Sequence, residues 1–263
     1  MVAIIIKMNL ISDILLQQYI ENFPLGLEEK FNALHDAEIS NDTFSFYTSV
    51  ASVFSSKIEG EEIELDSYIK HKRFGIEFLP DYTKKIDDLY SGYTFAKTNC
   101  LSKNTIAKVH KILAKNIVAK HQQGKHRIHN MYVASDDGKI EYVAISPYEL
   151  ESEMEKFYNE VEELLLKSLT FEEIFYYASM IHLVFVKIHP WNDGNGRSGR
   201  LIEKWFLSEK LGANAWFVQS EKNYYKNHQL YYKNLRVLGL EYELLDYSKA
   251  LPFLEMLPQS LLL

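Results

Sequence analysis

The stretch KIHPWNDGNGRSGRLIEKW, Lys187 to Trp205, brings a histidine, an acid in the loop after it, an asparagine between two glycines and two arginines close together. Proline at position 190 biases His189 away from helical conformation, so this histidine is predicted to end one helix and face a loop. A new helix is expected from about Asn195, with Gly194 and Gly196 letting backbone N–H groups approach an anion where the helix dipole favours negative charge. Arg197 and Arg200 share a face of its first turns. Two guanidiniums over such a helix start suit a polyphosphate. A phosphate chain commonly carries Mg2+, which takes one or two carboxylates and keeps several waters, and Asp193 is the only acid in the loop. His189 then remains as a base near neutral pH for an attacking hydroxyl. The set reads as phosphoryl or nucleotidyl transfer. A GNG turn or a histidine before proline is, alone, more often packing than catalysis; their conjunction in one loop carries the reading.

These groups need helices to hold them. In FEEIFYYASMIHLVFVKIH the apolar residues Phe171, Ile174, Phe175, Ala178, Ile181, Val184, Phe185 and Ile188 recur at intervals of three and four, the stripe of a central, largely buried helix. Thr170 with Glu173 forms a capping-box pattern at its start. Similar periodicity predicts helices near 43–57, 80–96, 103–118, 147–167, 195–210 and 222–238, with one more over 246–258. RIHNMYVASDDGKIEYVAIS breaks the rule: the β-prone runs Met131–Ala134 and Ile140–Ile145 flank Asp137-Gly138, a hairpin-turn signal. A lone hairpin is marginal, so it must lie against another element or offer an edge to a partner strand.

The composition fits this picture. A chain of 263 residues, 47% apolar and 25% charged, is that of a globular protein of one large or two small domains. Eleven Gly and six Pro leave little for long loops. A formal net charge of −7 argues against bulk nucleic acid or anionic membrane as a partner, while a local basic pocket could still hold an anion. The single cysteine, Cys100, excludes an intramolecular disulfide and a cysteine-cluster metal site. The N-terminal MVAIIIK is too short for a signal-peptide core and carries its charge on the wrong side, with Met8 an alternative start to Met1. Every apolar run is too short to span a bilayer, and the expected location is the cytoplasm. His126 and His129 lack a third ligand at metal spacing, and His182 inside the central helix is expected to be a satisfied core histidine.

HPWNDGNGRSGR, His189 to Arg200, resembles the signature of the Fic family, H-P-F-x-D/E-G-N-G-R-x-x-R, with Trp191 where Phe is usual. That position is an apolar anchor, and the change is expected to be tolerated. The resemblance implies a mainly α Fic fold, a helical bundle around a central helix-loop-helix with a small β-hairpin flap. It implies transfer of AMP from ATP to a hydroxyl side chain of a target protein, with release of pyrophosphate. His189 would be the base that deprotonates the target Ser, Thr or Tyr, and Asp193 would hold Mg2+. The ATP phosphates would be bound along Gly194, Asn195, Gly196, Arg197, Ser198, Gly199 and Arg200, with the two arginines on the β- and γ-phosphates.

Other segments extend the resemblance. SSKIEGEE contains Ser55-x-x-x-Glu59-Gly60, similar to the inhibitory S/T-x-x-x-E-G/N motif that one class of Fic proteins carries on an N-terminal helix. A Glu59 carboxylate reaching Arg200 would take the place that the γ-phosphate needs. The hairpin matches the family's flap in position, which implies that Met131, Tyr132, Val133 and Ala134 register a target segment by strand pairing; GKHR, Gly124 to Arg127, resembles the lead-in to it. NHQLYYKNL is similar to the family's N-R-x-x-Y-Y-x-x-L segment with His228 in place of Arg, pointing to Asn227, Tyr231 and Tyr232 as the adenosine pocket. NYYKN at Asn223 to Asn227 offers a competing alignment.

The expectation is an autoinhibited protein adenylyltransferase using Mg2+ and ATP as co-substrate on a target protein held at the flap, with no nucleic-acid or membrane partner. Its exposed helical surface leaves room for a homodimer. Residues 1–90 are read as an N-terminal helical part carrying the inhibitory helix, 91–245 as the catalytic core and 246–263 as a C-terminal helix and tail, in one compact unit. Two alternatives stand beside it. The same site could remove AMP or use another phosphate donor, which product mass would reveal; or the chain could be a non-catalytic nucleotide- or partner-binding module, for which a base beside a metal carboxylate has no use.

Overall fold

The computed structural model describes residues 10–134 and 138–263. The N-terminal run with Met1 and Met8, and Asp137 of the expected turn, lie outside the described residues. The chain runs through α1 (Leu16–Asn22), α2 (Leu27–Asn32), α3 (Phe46–Ile58), α4 (Leu65–Phe74), α5 (Pro80–Lys97) and α6 (Lys103–Leu113). Strands β1 (Tyr132–Ala134) and β2 (Ile140–Val143) follow, then α7 (Pro147–Leu166), α8 (Phe171–Ile188), α9 (Asn195–Leu211), α10 (Ser220–Lys226), α11 (His228–Arg236), α12 (Leu251–Leu254) and α13 (Met256–Gln259). The fold is mainly helical, as the periodicity predicts. No helix of the described residues is long and apolar enough to cross a membrane.

Helix α8 is the axis. Its capping box is present: Glu173 N–H donates to Thr170 Oγ1 at 3.3 Å, and Thr170 N–H to Glu173 Oε2 at 2.7 Å. Ile181, Val184 and Phe185 of its stripe are fully buried. Helix α9 returns against it at close range, because a Cβ on Gly199 would lie 2.8 Å from both His182 Cδ2 and Val186 Cγ1. On the far side, Glu160 of α7 accepts the N–H groups of Leu10 and Ile11 at 3.1 and 2.8 Å, fastening the N-terminal segment to the bundle.

Several boundaries differ from the periodic reading. Helix α6 stops at Leu113 rather than near 118, where Asp88 captures Asn116 through its N–H and its Nδ2 at 3.0 and 2.6 Å. The helix expected over 222–238 is two, α10 and α11, broken at Asn227 (φ −107°, ψ 32°), whose Nδ2 donates to Asn223 O. A local side-chain bond of this kind competes with the helix. The segment 246–258 is divided between a 3-10 turn at Tyr247–Lys249 and the four-residue helices α12 and α13, which contain Pro252 and Pro258, instead of one helix. Helices α1, α2 and α4 were not expected, although α4 ends on a left-handed Gly75 (φ +68°), a readable stop signal.

The hairpin is antiparallel, pairing Tyr132 with Val143, Val133 with Tyr142 and Ala134 with Ile140, with a bulge between Val133 and Ala134. It does not stand alone. Val143 N–H donates to Leu240 O at 2.8 Å on the other side of β2, and Tyr142 Oη donates to Lys187 O at 2.6 Å at the end of α8.

Two side chains pin the loop between α8 and α9. Arg127, buried, donates through Nε to His189 O at 2.8 Å and through its other nitrogens to His129 O and Ile145 O at 2.9 and 2.5 Å; its own N–H donates to Pro190 O at 2.9 Å. His110, fully buried on α6, stacks on Trp191 with ring centroids 4.3 Å apart. Gly124 N–H donates to its Nδ1 at 2.9 Å, so the proton sits on Nε2 and goes to Asp193 O at 3.0 Å. Burial holds this imidazole down to a pKa of about 4.

Two predictions follow from this packing. Gly199→Ala should destabilise the fold by about 1–3 kcal/mol through overpacking. Gly92→Ala, within α5 and with only ordinary contacts of 3.5–3.7 Å awaiting its Cβ, should stabilise it by about 0.5–1 kcal/mol. Urea titration reads both, and equal signs would contradict the close α8–α9 approach. The His110 value of about 4 lies below the ordinary 6.5, so its contribution to stability is whole above pH 6.5 and is lost as pH falls toward 4. The difference in unfolding free energy between wild type and His110→Asn should therefore shrink by about 2 kcal/mol between pH 7 and 4.5; a pH-independent difference would argue against a buried neutral imidazole.

Candidate active site

His189 caps the C-terminal end of α8 in the left-handed region, φ 55° and ψ 58°, as the following proline suggested. This conformation costs a non-glycine residue about 1–2 kcal/mol and is held here by the Arg127 bonds to His189 O and Pro190 O. The ring lies against Val186 O, with Nδ1 at 3.2 Å. Nδ1 therefore carries the proton, and Nε2 is left as the acceptor at the wall of a cavity of about 170 Å³. Burial lowers the pKa of His189 to about 4, so the imidazole is neutral at pH 7.

The loop then folds on itself. Trp191 is buried, and its N–H donates to Asn195 Oδ1 at 2.8 Å while Asn195 Nδ2 donates to Trp191 O at 3.0 Å. The Asn195 side chain is thus a staple for the loop, leaving its backbone to face an anion. Gly194 takes φ +82°, ahead of the helix start at Asn195. Among the described residues the N–H groups of Asn195, Gly196 and Arg197 have no acceptor, the ordinary condition of a helix start. Asp193 is exposed, with Oδ1 accepting Gly194 N–H at 2.5 Å. A single outward carboxylate beside a helix start is a donor set that suits Mg2+, which retains water on its other positions.

Both arginines are buried and already hold acids. Arg200 donates through Nε to Ser55 Oγ at 2.9 Å, through Nη2 to Ser55 O at 3.1 Å and Glu59 Oε1 at 2.6 Å, and through Nη1 to Tyr231 Oη at 3.3 Å. Burial works against charge on Glu59, but Arg200 and then Arg197 hold its carboxyl below the usual range. The same carboxylate covers the helix start, since a Cβ on Gly196 would overlap Glu59 Oε1. Gly60 turns the chain at φ +90°, and Glu61 then reaches Arg197 Nη2 at 2.5 Å. Glu61 is 4% exposed and also meets Lys85 at 3.2 Å.

The remaining residues singled out in the sequence are distributed around this centre. Val133, Tyr231 and Tyr232 line the cavity with His189, Gly196 and Glu59, whereas Asn227 lies in a separate groove with Lys57 and Lys233. Gly199 faces His182 rather than the cavity, and Ser198 Oγ is buried with no partner among the described residues. Tyr132 is exposed on the hairpin, and Met131 and Ala134 flank Val133 without lining the cavity. Sequence reasoning did not single out Glu61, His110 or Lys187. Lys187 is buried in the cavity wall with Nζ 4.1 Å from the Tyr142 ring centre, and burial lowers its pKa to about 8. Only Glu61, two positions after the motif glutamate, carried a sequence signal for its place.

Residues 100–207 match the model of the Fic/DOC family. No curated protein matches the chain by sequence. Solved structures match it in fold. A Fic family protein from Desulfovibrio desulfuricans G20 aligns with TM-score 0.68 at 18% identity, over 93% of this chain and 69% of that one. A Fic domain containing signaling protein from Bacteroides thetaiotaomicron VPI-5482 aligns with TM-score 0.65 at 17% identity, over 90% and 92%. Part of Fic-1 from C. elegans aligns with TM-score 0.67 at 15% identity, over 94% and 68%. The chain thus has the Fic fold, and within it residues 100–207 are matched by the Fic/DOC family model.

Proposed function

We propose that this protein is an autoinhibited protein adenylyltransferase, moving AMP from ATP to a Ser, Thr or Tyr hydroxyl of a target protein. Fic domains generally transfer AMP or another nucleoside monophosphate to targets. The observation that carries the reading is His189 at the cavity wall, with Nδ1 against Val186 O, beside a helix start whose first amides have no acceptor among the described residues and two buried arginines. In this reading His189 Nε2 takes the proton of the target hydroxyl as its oxygen attacks the α-phosphorus. The bond from the α-phosphorus to the bridging oxygen breaks, and pyrophosphate leaves. The amides of Asn195, Gly196 and Arg197 receive phosphate oxygens, and Arg197 and Arg200 take the charge of the β- and γ-phosphates. Asp193 would hold Mg2+, which supplies neutralisation of phosphate charge when bound. The target segment pairs along the hairpin at Tyr132 to Ala134, and Tyr231 and Tyr232 bound the nucleoside.

Inhibition in this reading is competition for the guanidiniums. Glu59 on Arg200 and Glu61 on Arg197 place carboxylates where the phosphates must go, and the motif glutamate has a second acid acting beside it. A charge-assisted hydrogen bond contributes about 1.5–3 kcal/mol, so Glu59→Gly should raise transfer or auto-modification about 10- to 100-fold. Adding Glu61→Gln should raise it by a further factor of about 3–10, as a weaker acceptor is left on Arg197. Labelling with α-32P-ATP and Mg2+ reads both. No gain with Glu59→Gly would sink the inhibition, and no further gain with the double variant would make Glu61 a structural partner only. His189→Ala in the Glu59→Gly background should lower transfer by about 100-fold or more; retention of full labelling would remove His189 as the base.

A further inference from the structure

The motif arginine has one contact that does not belong to the inhibitory segment. Of the groups that accept from Arg200, Ser55 and Glu59 lie on α3 and at its C-terminal cap, so they leave together if that helix end withdraws. Tyr231 Oη lies on α11 and stays.

Behind Tyr231 the hydrogen bonds run in one direction. Arg200 only donates, so Tyr231 Oη accepts from it and must send its single proton elsewhere. The other partner in reach is His182 Nε2 at 3.1 Å. An accepting Nε2 leaves the His182 proton on Nδ1, which donates to Glu203 Oε2 at 2.7 Å, and the same oxygen receives Tyr224 Oη at 2.7 Å. None of these four side chains is more than 1% exposed. The imidazole fits between α8 and α9 because position 199 has no Cβ. Glycine at that place of the motif therefore makes room for the ring that orients Tyr231.

We infer that Tyr231, backed by the His182–Glu203 pair, is a positioning residue that aims the Arg200 guanidinium at the polyphosphate once Glu59 leaves it. The phenol acts through its oxygen on the arginine, in addition to presenting its ring to the cavity. This rests on the reading of Arg200 as a phosphate clamp. The chain of fixed proton donors keeps the Tyr231 lone pair turned to Arg200 without any help from the inhibitory helix.

The test compares Mg2+-ATP with AMP, which lacks the phosphates that Arg200 would meet, by calorimetric titration. In the Glu59→Gly protein, adding Tyr231→Phe keeps the ring and removes the oxygen. Affinity for ATP should fall about five- to tenfold relative to affinity for AMP, the equivalent of one lost hydrogen bond. His182→Asn, at a side chain that does not line the cavity, should shift the ATP-to-AMP ratio in the same direction, with thermal melting confirming that both variants fold. If ATP and AMP weaken equally, or neither changes, Tyr231 does not position Arg200 and the inference is overturned. If the Glu59→Gly protein itself binds ATP no more tightly than AMP, the phosphate clamp fails and takes this inference with it.

Discussion

Everything around the start of α9 depends on two guanidiniums that are almost fully out of water. A buried charge without a partner costs several kcal/mol, so Arg197 and Arg200 must hold acceptors in every populated state. In this structure the acceptors are Glu61, Glu59, the two oxygens of Ser55 and Tyr231 Oη. The proposed ligand satisfies the same demand from outside, because phosphate oxygens match a guanidinium as well as a carboxylate does. In the proposed reading the helix start is a socket for negative charge with two competing occupants, one tethered and one free.

The socket is useful only if its neighbours stay still, and the chain spends several buried polar groups on that. His189 sits in a conformation that a non-glycine residue rarely adopts, and the strain persists because Arg127 holds its carbonyl and that of Pro190. His110 holds the Asp193 carbonyl from the opposite side while its ring supports Trp191. Asn195 closes the loop between them. His189, the outward Asp193 and the helix start are consequently fixed by α6, the hairpin lead-in and the loop itself. Helix α3 adds the Glu59–Arg200 contact without building the loop.

The contiguous part of this site could be read from the sequence because its geometry is local. A proline fixes where His189 ends its helix, a left-handed glycine precedes the next one, and a three-residue spacing puts both arginines on one face. The apolar stripe of α8 was equally plain, since burial on one face imposes its period. Long-range pairing was less accessible. That Glu61 meets Arg197 depends on the left-handed turn at Gly60 and on how α3 packs across α9, neither of which leaves a periodic trace. Asn195 and Gly199 have residue types that suit phosphate binding, yet one side chain staples the loop and the other position makes room for His182. The break at Asn227 was hidden for a related reason: its neighbours continue a helical pattern, but its side chain bonds back to Asn223 and separates α11 from α10.

The tethered occupant also has a mechanical property that a single glutamate would lack. Glu59, Gly60 and Glu61 form the C-terminal end of α3, where the N–H groups of Glu59 and Glu61 both return to Ser56 O and that of Gly60 to Lys57 O. One turn therefore carries both carboxylates, and the left-handed glycine between them sets the angle at which they reach two arginines one helical turn apart. Moving the turn by a few ångströms breaks both ion pairs together, whereas rotating either side chain breaks only one. Release is then cooperative: the cost of freeing the first guanidinium already includes most of the displacement needed to free the second.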